Sequence, residues 1–427
     1  MALLGPMVVV AEASAADLVD VLGKAGAFPI IETRWSEAPA AIAEIQPVAL
    51  AIADPQGRPA ARHTRALAEA IATRGGPVTP IIALVEKDTA APLPEALPIT
   101  MDDSTDRLVS RLRSALRVRT LHAGVLRRAR SLNVTHGIPT CVPADILDHA
   151  TILCVARGGS YCALSQAIGD RAGLVGALSS ETAARFLNTR DIDGVIIGEG
   201  LGARPVAALL TLLANDARFC DLPVGVLDND SVDDERLPNL VRAEGDAARL
   251  VGLVLPFVRW QAFEGQLKRV LKSLESEGAI DSDTGLRDTK AFWRDLDRAI
   301  RAAEPAGRAL SLARFSFDGL TDRRMYLDAA RLFGRLVRDV DFACRERDGS
   351  IVAAFAETDL RSAHVFARRI AGMLRRTMLS LSSTAGSIKP TVTLATLKPT
   401  DNLDTLLGRV GSNIAADPQI AGEQRQA

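Results

Sequence analysis

The sequence predicts two α/β domains, each a parallel sheet with helices on both faces, followed by an α+β domain. Three observations predict it. Apolar runs alternate with helical stretches over residues 1 to about 120, and the same alternation restarts near residue 148. Beyond a helical stretch at 259–279 the order changes to helix, strand, helix, hairpin, helix. At 427 residues the chain is long enough for about three domains, each able to bury its own core.

In the first domain, 1–130, residues 7–11 form a β-branched run, 17–25 read as a helix, and 47–53 as a strand ending at Asp54-Pro55. A further strand is expected at 80–85 and a closing helix at 104–118. Such alternation means a parallel sheet covered on both faces. The pattern resembles a response-regulator receiver domain of flavodoxin-like order, whose active site lies beyond the C-terminal strand ends. That resemblance implies an acid pair after the first strand, a phosphoacceptor Asp after the third, a Ser or Thr after the fourth and a Lys after the fifth. Here Glu12 stands alone, Val85-Glu86 follows the fourth strand, and Met101-Asp102 replaces the lysine. Asp54 is the candidate phosphoacceptor, although Asp before Pro at a strand end is also a plain turn former. The groups that support phosphoryl transfer are not evident around it.

Arginines crowd the next stretch: Arg111, Arg113, Arg117, Arg119, Arg127, Arg128 and Arg130. They fit a nucleic-acid surface or a solvated helix face. No aromatic platform accompanies the charge, so the solvated face is expected and no nucleic-acid partner. Residues 131–147, rich in turn formers, read as a linker. The second domain, 148–258, has strands at 150–156, 194–198, 222–227 and 237–242 and helices at 160–170, 203–214 and 246–258. It resembles a second receiver, with Gly198 at the acceptor position and Arg157-Gly158 at the acid pair, which implies a scaffold without phosphorylation. The helical stretch at 259–279 carries Leu267, Val270, Leu271 and Leu274 at helical spacing and reads as a stalk and dimer seam.

The third domain, 280–415, opens on Asp281-Ser282-Asp283-Thr284-Gly285-Leu286, with Phe292 on its first helix. Residues 338–355 read R-D-V-D-F-A-C-R-E-R-D-G-S-I-V-A-A-F, placing Arg338 and Asp341 three apart at the end of a helix over 326–338. A buried strand is expected at 351–355, a helix at 359–377, a late strand at 391–395 and a final helix at 403–409. A polar tail, 416–427, closes the sequence.

These segments resemble the GGDEF (diguanylate cyclase) family, with its D-x-L-T-G-L opening and an R-x-x-D inhibitory site followed by the G-G-[DE]-E-F hairpin. In that register Arg347 to Ile351 fall on the five signature positions. A cyclase hairpin uses glycines so that backbone can approach a triphosphate, and an acid to hold a divalent metal. Arg347 and Asp348 stand at the glycine positions, and Gly349 and Ser350 stand where two acids should be. Ser316 replaces the metal-ligating acid of the first strand, leaving Asp318, and the family's guanine-binding segment after it is missing. The resemblance therefore implies no catalytic residue, no metal and no cofactor, with cyclic di-GMP as a ligand. Its inhibitory-type site would comprise Arg338, Asp341 and, on the helix at 359–377, Arg369. Two guanidinium forks suit guanine N7/O6 and phosphate oxygens, and a carboxylate suits the guanine N1 and amino edge. An Arg and an Asp three apart on a helix are also often a solvated pair worth about 0.2–0.5 kcal/mol.

The composition, 48% hydrophobic and 24% charged with a formal net charge of −1, is that of an ordinary globular chain. Cys141, Cys154, Cys162, Cys220 and Cys344 lack metal-ligand spacing, as do the five histidines. No apolar run reads as a signal or membrane span, so a cytoplasmic protein is expected. The expected function is a non-catalytic cyclic di-GMP receptor, acting through a protein partner and as a homodimer. The alternatives are a ligand-independent scaffold and, against the lost signature, an active cyclase.

Overall fold

The computed structural model describes residues 4–54, 59–86, 91–100, 103–134, 137–228, 236–306, 308–317, 323–338, 340–377 and 390–412. Met101-Asp102, Asp318 and the polar tail lie outside the described residues. The chain divides into two compact units. The first is Met1–Phe186 with Ile192–Lys268, and the second is Leu187–Asp191 with Arg269–Ala427.

The first unit holds two parallel sheets. The first is built from β1 (Leu4–Val10), α1 (Ala16–Lys24), β2 (Phe28–Thr33), α2 (Ala38–Ile45), β3 (Ala49–Ile52), α3 (Ala61–Ala72), β4 (Ile81–Val85), β5 (Leu97–Thr100) and α4 (Thr105–Ser131). Its strand order is β2-β1-β3-β4-β5, that of a flavodoxin-like doubly wound sheet. The apolar run of β1 is continuous because both faces are covered. Met7 and Val9 face Leu18, Leu22, Leu108 and Leu112, while Val8 and Val10 face Trp35, Ile42 and Leu67. The second sheet comes from β6 (Thr151–Val155), α5 (Gly158–Ile168), β7 (Gly173–Ala177), α6 (Ser180–Thr189), β8 (Gly194–Ile197), α7 (Ala203–Asn215), β9 (Val224–Leu227), β10 (Leu240–Ala243) and α8 (Ala247–Glu275). Its order, β10-β9-β8-β6-β7, repeats the first.

Several elements differ from the sequence expectation. The edge strand β2 reads F-P-I-I-E-T, and with Phe28 81% exposed it lacks the apolar alternation of a half-buried strand. Short β5 carries Pro98 and β7 two glycines, so neither has strong strand character. The expected closing helix and stalk are one helix, α8, with Pro256 inside it, because the buried stripe Val258, Phe263, Leu267, Val270 and Leu274 runs on unbroken.

The arginine-rich helix also departs from a solvated face. Arg111 is 2% exposed; its Nε and Nη2 donate to Pro238 O (2.9 Å) and Leu240 O (3.2 Å), and its Nη1 donates to Pro98 O. One guanidinium thus joins the edge strands of the two sheets, beside a small apolar cluster of Leu97, Ala115 and Phe257. Arg119 Nη1 donates to Pro77 O and Val78 O, each at 2.8 Å. Fully buried His122 accepts from Val78 N at 3.1 Å and pairs with Pro139 O at 2.8 Å. A carbonyl only accepts, so Nε2 carries the proton and the ring is neutral. An arginine fork that finds backbone carbonyls can be buried, and a list of arginines does not show which one will find them.

The second unit is a four-stranded antiparallel sheet, order β12-β13-β11-β14, between two helical layers. Its elements are α9 (Thr289–Ala306), β11 (Leu310–Phe317), α10 (Arg323–Leu336), β12 (Phe342–Arg345), β13 (Ile351–Ala356), α11 (Leu360–Thr377), β14 (Pro390–Thr396) and α12 (Leu403–Arg409). Leu310, Leu312, Val352 and Ala354 face α9 and α12, and the alternate residues Ala313, Phe315, Ala353 and Phe355 face α10 and α11. The opening turn closes on itself: Thr284 Oγ1 donates to Asp281 Oδ2 at 2.6 Å, and Asp281 N donates to Leu286 O at 2.8 Å. Among the described residues no helix is long and apolar enough to cross a membrane.

Candidate functional site at the edge of the antiparallel sheet

The three residues singled out from the sequence lie in the second unit, where α10, β12 and α11 present them. Helix α10 ends at Leu336, two residues short of Arg338, so the arginine sits in the connection to β12 rather than on the expected helix over 326–338. Asp341 N donates to Arg338 O at 3.0 Å, which closes that connection into a turn. Asp341 stands just before the edge strand, where the ladder with β13 has ended. Its Oδ1 accepts the otherwise unladdered Ala356 N–H at 3.0 Å.

Asp341 is 8% exposed, so it is not the open surface acid that a solvated R-x-x-D would present. Burial raises its pKa, and the Ala356 N–H and the Arg338 charge offset only part of that rise. Its second oxygen, Oδ2, takes no hydrogen bond among the described residues.

Arg338 and Arg369 meet over one aromatic ring. The Arg338 guanidinium carbon lies 3.8 Å from the Phe366 ring centroid, and that of Arg369 lies 5.9 Å from it. Phe366 is half-buried and leans edge-on against Phe355 at 6.3 Å. Neither arginine forms a salt bridge among the described residues, and both are exposed. The sequence places Phe366 in the core stripe of α11 with Ala363, Ala367, Ile370 and Leu374. Its spacing of three from Arg369 is the signal that it shares the arginine's face.

At the neighbouring hairpin, the turn between β12 and β13 is closed by Gly349 N donating to Glu346 O at 3.1 Å. Gly349, at φ +85°, holds the left-handed position that a Cβ would strain, and a Cβ there would sit 3.5 Å from the ring of Tyr326. On β11, Arg314 binds the turn from below. Its Nε meets Glu346 Oε2 at 2.6 Å, its Nη1 donates to Ser316 Oγ at 3.0 Å, and its Nη2 pairs with Asp348 Oδ2. Ser350 Oγ lies within hydrogen-bond distance of both carboxylates, Glu346 Oε2 at 2.5 Å and Asp348 Oδ1 at 2.6 Å, with one proton to give to either, and Ser412 Oγ donates to Glu346 Oε1 at 2.7 Å. Burial works against the Asp348 charge, but the Ser350 hydrogen bonds and the Arg314 charge outweigh it and lower the pKa. Arg314 and Glu346 escaped the sequence reading, since neither lies on a signature position.

In the first sheet, the candidate phosphoacceptor Asp54 lies just beyond β3, and its Oδ2 accepts from the indole of fully buried Trp35 at 3.1 Å. That bond gives Asp54 a structural role. In the second sheet, a Cβ on Gly198 would run into Ser160 Oγ, Leu164 and Ala156, so no side chain fits at that position. Among the described residues no group of three or more His, Cys, Asp or Glu is placed to hold a metal ion.

No family model matches the chain, and no curated protein matches it. Solved structures similar to parts of it include the coiled coil and GGDEF domain of DgcB from Caulobacter crescentus in complex with c-di-GMP, at 23% identity over 36% of this chain and 87% of that one, TM-score 0.31. The FimX GGDEF domain from Pseudomonas aeruginosa is 18% identical over 35% of this chain and 95% of its own, TM-score 0.29. The active GGEEF domain of a diguanylate cyclase from Vibrio cholerae is 15% identical over 32% of this chain and 90% of its own, TM-score 0.27.

Proposed function

We propose that this chain is a non-catalytic receptor for cyclic di-GMP in a bacterial signalling pathway, binding the dinucleotide at Arg338, Asp341 and Arg369. The observation that carries the reading is the pair of exposed guanidinium groups near Phe366, neither of them in a salt bridge among the described residues. A guanine stacks on a guanidinium plane or takes its fork at O6/N7, and the phosphates neutralise the pair. Asp341 Oδ2 accepts from the guanine N1 and amino edge, while Oδ1 keeps the carboxylate fixed to the sheet. The two α/β domains are receiver-like modules of a response regulator, serving as dimerisation and docking surfaces in the cytoplasm. Ligand binding relays to a protein partner by its differential affinity for two arrangements of the protein.

The absence of turnover in this reading rests on Arg314. A cyclase needs acids free to hold a divalent metal, and here Ser316 replaces one acid while Glu346 and Asp348 are tied to a guanidinium. Thermal unfolding tests both halves. Cyclic di-GMP at about 100 times its wild-type Kd should stabilise the wild-type protein by about 2.7 kcal/mol, while an affinity loss of about thirty-fold in Arg338→Ala or Arg369→Ala should leave less than about 1 kcal/mol of that stabilisation. GTP with magnesium should yield no dinucleotide. No response in any of the three proteins would favour the ligand-independent scaffold, an equal response in all three would remove both arginines from the site, and product from GTP would overturn the non-catalytic assignment.

A further inference from the structure

The first unit gathers two arginines on one short loop with no acid paired to either. The loop, Arg74 to Pro80, connects α3 to β4. Arg74 Nη1 donates to Pro47 O at 2.8 Å and to Thr79 Oγ1. From α4, Arg119 Nη1 donates to Pro77 O and Val78 O, so the two guanidinium groups engage the consecutive residues Pro77 to Thr79. His122, one turn further along α4, accepts from Val78 N and pins the loop to the helix.

Both arginines are half-buried, and neither forms a salt bridge among the described residues. A carbonyl satisfies a donor without cancelling its charge, and like charges held partly away from water favour an anion beside them. Burial, with the Arg74 charge, lowers the Arg119 pKa to about 10, and no acid offsets that shift; Arg119 still carries its charge at neutral pH. Donors are also left over. Arg74 Nε is buried without an acceptor, and Arg119 Nε and Nη2 take none among the described residues. The backbone N–H groups of Gly75 and Gly76 likewise have no acceptor there. Gly76 stands at φ +99°, and a Cβ on either glycine would meet no atom within 4 Å, so space lies open beside the loop.

We propose that Arg74, Arg119 and the Gly75-Gly76 backbone form a binding site for a phosphate group, free or carried on a small monoester. A phosphate brings a charge of about −1.5 to −2, which matches two guanidinium groups. Its oxygens accept both from a planar fork and from backbone N–H groups. The site shares no residue with the R-x-x-D region.

Isothermal titration of the full chain with inorganic phosphate and with methyl phosphate tests it, at matched ionic strength and with acetate as the control. At least one of the two phosphates should bind, the tighter of them naming the source, and acetate should not. Binding should fall about ten-fold or more in Arg74→Gln and in Arg119→Lys, which keeps a charge for the loop carbonyls but loses the fork. It should persist in Arg338→Ala, which separates this site from the proposed dinucleotide site. Unliganded melting curves establish that each variant folds, and Arg119→Lys decides alone if Arg74→Gln does not. Absence of binding by both phosphates, equal binding of acetate, or undiminished binding in a folded Arg74 or Arg119 variant would each overturn the proposal.

Discussion

Phe366 is the residue on which the candidate ligand site turns, because the guanidinium groups of Arg338 and Arg369 lie 3.8 Å and 5.9 Å from its ring centroid. A cation over an exposed ring gains about 0.5–1 kcal/mol, enough to bias a flexible arginine without locking it. Phe366→Leu should therefore weaken cyclic di-GMP binding several-fold while the melting temperature stays close to wild type, as titration and calorimetry would register. Asp341 adds a pH dependence. Its pKa is raised in the folded protein, so on acidification it protonates earlier than an ordinary aspartate, whose value is 3.8. The proposed contact with the guanine amino edge needs the carboxylate, so affinity should fall as pH drops toward that raised value. The sign for folding is opposite: a raised acid pKa favours the folded state as pH falls through it. Binding that is flat down to pH 4 would remove Asp341 from the site.

At the scale of elements, the β12–β13 hairpin is held by an ion-pair network centred on Arg314. Arg314 is 16% and Glu346 3% exposed at the side chain, so removing the guanidinium strands a buried carboxylate. Arg314→Met should lower stability by about 3–5 kcal/mol, the usual cost of breaking a buried pair, in a denaturant titration at neutral pH. The hairpin also shows what a sequence can carry. The strand at 351–355 and the final helix at 403–409 were legible because apolar periodicity is local, and they match β13 and α12 to within a residue. Arg338, Asp341 and Arg369 were legible only as candidates, through motif spacing. Phe366, Arg314 and Glu346 were not, because their roles depend on which side chains tertiary packing brings within 4 Å to 6 Å. The strands β2 and β5 were missed for a different reason: prolines and short length erase the alternation on which strand reading depends.

At the scale of the molecule, the first unit behaves as two repeated sheets fastened along α4. Arg111 and His122 are two of the fasteners, and both are polar groups in dry surroundings. Burial lowers the His122 pKa from 6.5, opposed in part by the Pro139 carbonyl. The unfolded chain then binds the proton more readily than the folded one. The stability present above pH 6.5 should decline as pH falls through 6.5 toward the lowered value, and His122→Gln should flatten that decline in urea titrations between pH 7.5 and 5.5. In the proposed account these fastened sheets are a platform, and the regulated event is dinucleotide binding on the antiparallel sheet.

Isothermal titration with cyclic di-GMP tests that event most directly, run on the wild-type protein and on Arg338→Ala, with GTP as the control ligand. The account predicts micromolar or tighter binding to the wild type, a loss of about 2 kcal/mol or more in the variant, roughly thirty-fold, and no comparable response to GTP. Equal affinity in the two proteins, or no binding to the wild type, would contradict it.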